Sequence, residues 1–202
     1  MLMEHYPDKK MARARRPPRS ASPPSTTTLV VDFVNTVACP GCQAEDALDS
    51  EEGLEKWLQR RFPIDVKSLK RSDLDRLRQL RPAVRSLLDS TMQGEPPSPD
   101  DLALVRSLAS RFERARELRW ERKRWRYGSP ATVDGAWVRH RLAYATVELL
   151  TGTDVDKVRR CQATGCVHLL FARMRSQVWC SPTGCGNRTR VARHYQKTRA
   201  RN

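Results

Sequence analysis

The residues best suited to chemistry are four cysteines near the C-terminal end of the 202-residue chain. Cys161 and Cys166 form one C-x4-C pair, Cys180 and Cys185 form a second, and thirteen residues lie between the pairs. Two close pairs joined by a segment that folds back can place four sulfurs at the corners of a tetrahedron, which zinc accepts. Matching pairs within 25 residues favour one structural zinc ion over buried thiols or a redox site.

The elements around these cysteines must bring the two pairs together. VHLLF and QVW are β-prone and flank ARMRS, so we expect a β-hairpin between the pairs. All four zinc positions would be filled by protein, which makes the ion structural, and so short a segment needs the metal to fold. His168 lies in the middle of an expected strand, which argues against it as a ligand.

The charge of the chain is concentrated at its C-terminal end. The formal net charge is +15, and residues 158–202 carry ten Lys or Arg and no acid. Residues 29–157 are almost balanced, with 22 basic and 21 acidic residues. A basic block attracts phosphate polymers by counterion release, so we expect a nucleic acid as the partner.

The segment GNRTRVARHYQKTRARN predicts a helix that follows the last cysteine. Val191 and Tyr195 lie four residues apart and are expected to pack on the hairpin, while the basic residues form a separate stripe. Asn187, Arg188 and Arg190 are the candidates for base edges, because Arg can grip guanine and Asn adenine. The full set of candidate nucleic-acid contacts is Asn187, Arg188, Arg190, Arg193, Lys197 and Arg201.

The preceding sequence predicts a disordered basic arm over residues 1–28 and an α-rich domain over residues 29–157. LVVDFVNTV could be a strand or the start of a buried helix. Further helices are predicted at Glu51–Arg61 and near Asp134–Leu150. Another is predicted to begin with a capping box of Ser72 and Asp75 and to end or kink at Pro82, and one more is predicted to begin after a capping Ser98. ELRWERKRWRYG predicts a hairpin arm. Asp32 and Asn35 are interpreted as a polar pair that caps an early turn.

A second cysteine pair, Cys39-Pro40-Gly41-Cys42, follows the first apolar run. Its spacing is typical of a zinc knuckle or a redox pair. Closing a metal site there would require His5, His140 or a second subunit, so an incidental or structural pair is the favoured interpretation. We see no P-loop, H-E-x-x-H or G-x-S-x-G motif, and we expect no enzyme activity.

Specific motifs resemble a known family. Trp179-Cys180-Ser181 followed by Cys185-Gly186-Asn187-Arg188, with Cys161 and Cys166 upstream, resembles the CGNR zinc finger. LVVDFVNTV, EKWL and RQLRPAVRSLL resemble the ABATE domain that precedes this finger. The resemblance implies a mainly α fold with small β elements: an α-rich N-terminal domain, then a treble-clef-like finger over residues 158–202 with a β-hairpin and a C-terminal helix. Cys161, Cys166, Cys180 and Cys185 would be the zinc ligands.

These observations lead to one main functional hypothesis with open alternatives. Proteins of this family are regarded as bacterial transcription regulators, and the resemblance implies DNA binding, with an N-terminal domain that senses a ligand or forms a homo-oligomer. RNA binding and a protein-interaction zinc module are the alternatives. No apolar run approaches the length of a membrane span and the N-terminus lacks an apolar signal core, so we expect a cytoplasmic, nucleoid-associated protein.

Overall fold

Six α-helices and two small antiparallel strand pairs make up the part of the chain that the computed structural model describes, residues 26–42, 44–62, 69–114, 116–121, 123–128 and 134–199. This confirms the prediction of a mainly α fold with small β elements. In chain order the helices and strands are α1 (Thr26–Val34), α2 (Glu51–Arg61), α3 (Arg71–Gln93), α4 (Pro99–Arg114), β1 (Glu117–Glu121), β2 (Arg124–Gly128), α5 (Gly135–Thr151), β3 (Val158–Arg160), β4 (Leu169–Phe171) and α6 (Asn187–Arg199). Residues 1–25 of the predicted arm lie outside the described residues.

The apolar run at the start of the ordered chain forms helix α1. Leu29, Val30, Val31, Phe33 and Val34 are all buried, against α5, α3 and β4. β-branched residues favour strands in isolation, but burial on nearly every side of the helix overrides that preference. Residues 26–28, which the sequence assigned to the disordered arm, belong to α1.

One hydrophobic core contains residues of helices α1 to α5 and of the β3–β4 strand pair in the C-terminal segment. Neighbouring aromatic rings connect α1 and α2 to α4 and α5, with centroid distances of 5.0–6.1 Å. Val158 of β3 and Leu169 of β4 belong to the same core. The C-terminal segment therefore shares its packing with the helical domain.

Helix α3 differs from its prediction at its start, and it continues past the proline at which the sequence predicts an end or a kink. It begins at Arg71, and the Asp73 carboxylate accepts a hydrogen bond of 3.1 Å from the backbone N–H of Lys70, so Ser72 is not the cap. Pro82 lies inside the helix on its exposed side and does not end it. Buried neighbours such as Ala83 and Val84 hold both halves of the helix against the core, which outweighs the lost backbone hydrogen bond.

Three other predicted helix starts are confirmed by their caps. The Ser50 hydroxyl accepts from the N–H of Gly53 at 3.0 Å, and the Ser98 hydroxyl accepts from the N–H of Asp101 at 3.4 Å. The Asp134 carboxylate accepts from the N–H of Trp137 at 2.8 Å, and α5 ends before Gly152. Each side chain satisfies an N–H that has no partner within its helix.

The two strand pairs agree only in part with expectation. β1 and β2 form the predicted hairpin, with Trp120 opposite Trp125. The hairpin predicted between the cysteine pairs is wrong, because β4 pairs with β3, which precedes Cys161, and residues 177–179 form no strand. β3 is only three residues long and pairs where Val158 enters the core, a tertiary effect that leaves little trace in sequence. Within the described residues, no helix is both long and apolar enough to cross a membrane.

Candidate metal centre and basic helix

The four C-terminal cysteines meet in space. The loop between β3 and β4 carries Cys161 and Cys166, and a helical turn at Pro182–Gly186 carries Cys185. All four sulfurs lie within 4.8 Å of one another. Cys180 Sγ is 3.7 Å from Cys166 Sγ and 3.6 Å from Cys185 Sγ.

These separations fit a zinc ion. Four sulfurs at about 2.3 Å from a tetrahedral ion would be about 3.8 Å apart. Thiolates are ligands that zinc prefers, and a centre with four protein ligands leaves no open coordination position for a reacting molecule. The cluster is therefore able to hold a zinc ion, and the chemistry of such a site is structural.

Backbone N–H groups point at the sulfurs. The N–H of Cys180 lies 3.3 Å from Cys161 Sγ. Burial acts to raise the pKa of the Cys161 thiol, but hydrogen bonds from the Ala163 and Cys180 N–H groups outweigh it, and the pKa is lowered. The N–H of His168 makes the equivalent contact with Cys166. These N–H groups would stabilise thiolates bound to a metal.

The thiols of Cys166 and Cys180 resist losing their protons while no cation is present. Burial, helped by the thiols of Cys161 and Cys185, raises the pKa of Cys166 to about 11. Burial and the neighbouring thiols also raise the pKa of Cys180. Several thiolates this close repel one another unless a positive charge lies between them, and a divalent cation supplies that charge.

The metal cluster is attached to the helical domain through Asn35. Its side-chain amide donates to the Leu169 carbonyl at 2.8 Å and accepts from the Leu169 N–H at 2.8 Å. Asn35 thus binds β4 rather than capping an early turn with Asp32, whose carboxylate pairs with Arg61 at 3.0 Å. Arg85 on α3 also donates to the Val167 carbonyl at 2.7 Å. The only sequence signal for the contact between Asn35 and Leu169 is one polar residue after an apolar run, which is too weak to predict it.

The second cysteine pair lies against the first cluster. Cys39 and Cys42 are joined by a disulfide. Cys42 Sγ is 3.7 Å from Cys166 Sγ and 3.9 Å from His168 Nδ1. The nearby histidine is thus His168, while His140 belongs to neither of the possible metal groups found in the described part of the chain, and His5 lies outside that part.

Helix α6 begins two residues after Cys185, as predicted, but it does not pack on the hairpin. None of its side chains is buried, and Val191 and Tyr195 are 45% and 66% exposed. Residues 177–179, where the second strand of that hairpin was expected, form no strand.

The predicted nucleic-acid contacts on α6 fall into two groups. Arg188 donates to the Thr164 carbonyl at 3.2 Å and lies 3.8 Å from Cys185 Sγ. Arg190 donates to the Pro182 carbonyl at 3.3 Å and lies over the Trp179 ring at 5.8 Å. The second group contains Asn187, Arg193 and Lys197, which are exposed, and Arg190 of the first group is exposed as well. Arg201 lies outside the described residues.

The fold and the site together define a helical domain that carries a closed four-cysteine metal centre and a basic helix. The chain belongs to the ABATE family, whose model matches residues 27–153 and is described as "Putative stress-induced transcription regulator". The model of the CGNR zinc finger matches residues 157–198. Both are families of regulator or zinc-finger type rather than enzymes. No curated protein matches the chain significantly.

Proposed function

We propose that this protein is a DNA-binding transcription regulator that docks α6 on the phosphates of duplex DNA. The observation that carries the proposal is the surface of α6. The helix contains five Lys or Arg residues and no acid, and none of its side chains is buried. A cationic helix with no buried side chain suits the backbone of a duplex, where phosphate contacts fix position and orientation.

The two groups of α6 residues suggest two different roles, one in positioning the helix and one in contacting DNA. Arg188 and Arg190 contact the finger's own backbone and hold the first turn of the helix against the metal centre. Arg193 and Lys197 lie further along, where their exposed side chains would meet phosphates. Asn187 lines an open cleft of about 600 Å³ with Cys42 and Val191, and it is our candidate for a base-edge contact.

A mobility-shift titration of the full-length protein with random duplex DNA tests the proposal. With about three or four phosphate contacts, from Arg193, Lys197 and the basic residues that follow them, log K should fall against log salt with a slope of about −3 to −4. Replacing Arg193 and Lys197 by Ala should reduce the slope by about 2, since each contact contributes about 0.9. The matched control, Arg106→Ala with Arg111→Ala on α4, removes the same charge elsewhere. Failure to bind any duplex at low salt would end the proposal.

RNA binding is a second candidate, and the β1–β2 hairpin favours it. Trp120 and Trp125 are 60% and 67% exposed, and Tyr127 is 56% exposed. Exposed aromatic rings beside Lys123 and Arg124 could stack on unpaired bases. Competition between tRNA and duplex DNA, repeated with Trp125→Ala, separates the two: a tRNA preference that this variant abolishes would favour RNA.

We propose that the helical domain regulates the finger by taking a ligand or by pairing with a second copy. An open cleft of about 430 Å³ between the end of α3 and β3 is lined by Met92, Val155, Val158 and Arg160 and supports ligand binding close to the finger. Light scattering during size exclusion measures the oligomeric state. The proposed role places the protein in the cytoplasm with the nucleoid, which imaging of a fluorescent fusion tests.

A further inference from the structure

We propose that Cys39, Cys42 and His168 form a second zinc site together with Cys166, whose thiolate bridges the two ions, and that reduction of the Cys39–Cys42 disulfide opens this site. The inference is independent of nucleic-acid binding. It assigns a metal-binding role to a cysteine pair that lies outside the four-cysteine centre. The spacing of the pair is typical of a zinc knuckle, but the sequence did not identify Cys166 and His168 as the residues that would complete the site.

The four ligand atoms are already gathered. One sulfur from each of Cys39, Cys42 and Cys166 and one ring nitrogen of His168 lie within 4.8 Å of one another. Cys42 Sγ is 3.7 Å from Cys166 Sγ, close to the edge of about 3.8 Å in a tetrahedral zinc–thiolate site. The Cα atoms of Cys39 and Cys42 are 5.3 Å apart, and C-x2-C pairs commonly bind one zinc ion through both sulfurs.

The histidine is oriented as a zinc ligand. His168 Nε2 lies 3.2 Å from the Val37 carbonyl oxygen, which can only accept a hydrogen bond, so Nε2 carries the proton. The lone pair is then on Nδ1, which lies 3.9 Å from Cys42 Sγ. Metal-bound histidines commonly donate their second N–H to a backbone carbonyl in this way. Leu169, the next residue, is held by Asn35, which fixes the backbone that carries the ring.

The turn that carries the pair is fitted closely against the finger. A Cβ on Gly41 would overlap the carbonyl group of Gly165, so only glycine permits this approach. Backbone hydrogen bonds of 2.8 Å from Cys39 to Ala44 and 2.9 Å from Cys42 to Cys39 shape the turn. The second site therefore has a preformed backbone, and only the two sulfurs must move apart.

The net charge of the centre is the same with one zinc ion and an oxidised pair as with two zinc ions and a metal-bound pair. One zinc ion with four thiolates has a net charge of about −2, and two further free thiolates beside it would make this about −4. A second zinc ion restores about −2. A disulfide also avoids the extra charge, since its sulfurs carry none. The two states are therefore alternatives for the same residues.

The opening step is a two-electron reduction. A dithiol reductant gives two electrons and two protons to the Cys39–Cys42 bond, becomes a disulfide itself, and leaves two thiols. Zinc then binds with release of both thiol protons. Cys42 lines the cleft of about 600 Å³ beside α6, so a reductant and a metal ion have a path to it.

Metal content of the full-length protein tests this proposal. Protein is reduced with a phosphine, incubated with excess zinc, desalted and measured by elemental analysis. We expect about two zinc ions per chain in the reduced wild type and about one in Cys39→Ser/Cys42→Ser and in the oxidised wild type. One ion in the reduced wild type, or two in the double variant, would overturn the proposal.

A second measurement on the wild type avoids dependence on how the variant folds. The second equivalent of zinc should slow alkylation of Cys42 in the reduced protein at least tenfold, as read by mass spectrometry, while the first equivalent protects Cys180. Equal alkylation of Cys42 with one and two equivalents would contradict a second site. DNA binding does not enter either readout, so its failure is distinguishable from the failure of this inference.

Discussion

Asn35 and Leu169 exchange two hydrogen bonds of 2.8 Å, the side-chain amide of the first with both backbone groups of the second. Asn35 follows helix α1 at the start of the described chain, and Leu169 is a fully buried strand residue of the finger, 134 residues later. This pair of hydrogen bonds, the Asn35–Leu169 clamp, places His168 and Cys166 at defined positions against the helical domain. The finger is consequently an extension of the main core.

Loss of this clamp should destabilise the whole chain. Asn35→Ala leaves the buried N–H and carbonyl of Leu169 without partners, and we expect a loss of about 2–4 kcal/mol in the free energy of unfolding. Asn35→Asp keeps an acceptor but loses the donor and should also destabilise. Urea denaturation measures both. Gln59→Ala, on an exposed face of α2, is the control and should change stability by less than about 0.5 kcal/mol.

A methyl group at Gly41 should push the Cys39–Cys42 turn away from the finger. The added Cβ would overlap the Gly165 carbonyl, and we expect Gly41→Ala to cost about 1–3 kcal/mol. Thermal unfolding measures this cost. Gly128→Ala is the matched control because a Cβ there meets no atom within 4 Å. Equal melting temperatures for the two variants would contradict the close fit.

Zinc removal should unfold the finger and leave the helical core. The loop of Cys161 and Cys166 has few apolar contacts of its own, while α3 and α5 belong to the large core. After chelation, amide hydrogen exchange should accelerate over residues 161–185 and remain slow in the middle of α3 and α5. Protection that is unchanged over residues 161–185 would show that the finger does not need its metal.

His140 should make stability depend on pH. Burial, with Arg139 and Arg111 nearby, lowers the pKa of His140 below its usual 6.5, so the folded state favours the neutral ring. Its contribution is fully present above pH 6.5 and is lost as the pH falls towards the lower folded pKa. The wild type should lose more stability than His140→Gln between pH 7.5 and 5 in urea denaturation. His194→Gln, exposed on α6, should behave as the wild type.

Local sequence was sufficient to predict the features that depend only on residues close together in the chain. Ser98 caps the helix that it was predicted to cap, and α5 begins directly after Asp134, near its predicted start, because a helix start and its cap depend on only the next few residues. The spacing of the cysteines predicted a cluster, and the sulfurs of Cys161, Cys166, Cys180 and Cys185 lie within 4.8 Å of one another in the folded chain. The basic helix likewise follows from its own residues.

Other features are stabilised by residues that are distant in the sequence, and these could be determined only from the tertiary structure. Burial against α5 made α1 a helix, and packing in the core carried α3 through Pro82. β4 pairs with β3 because Val158 enters the helical core, which no pattern between the cysteines could show. Asn35 meets Leu169, and Cys42 meets His168, across more than 120 residues. Such contacts depend on the packing of the whole chain, so sequence spacing carries no trace of them.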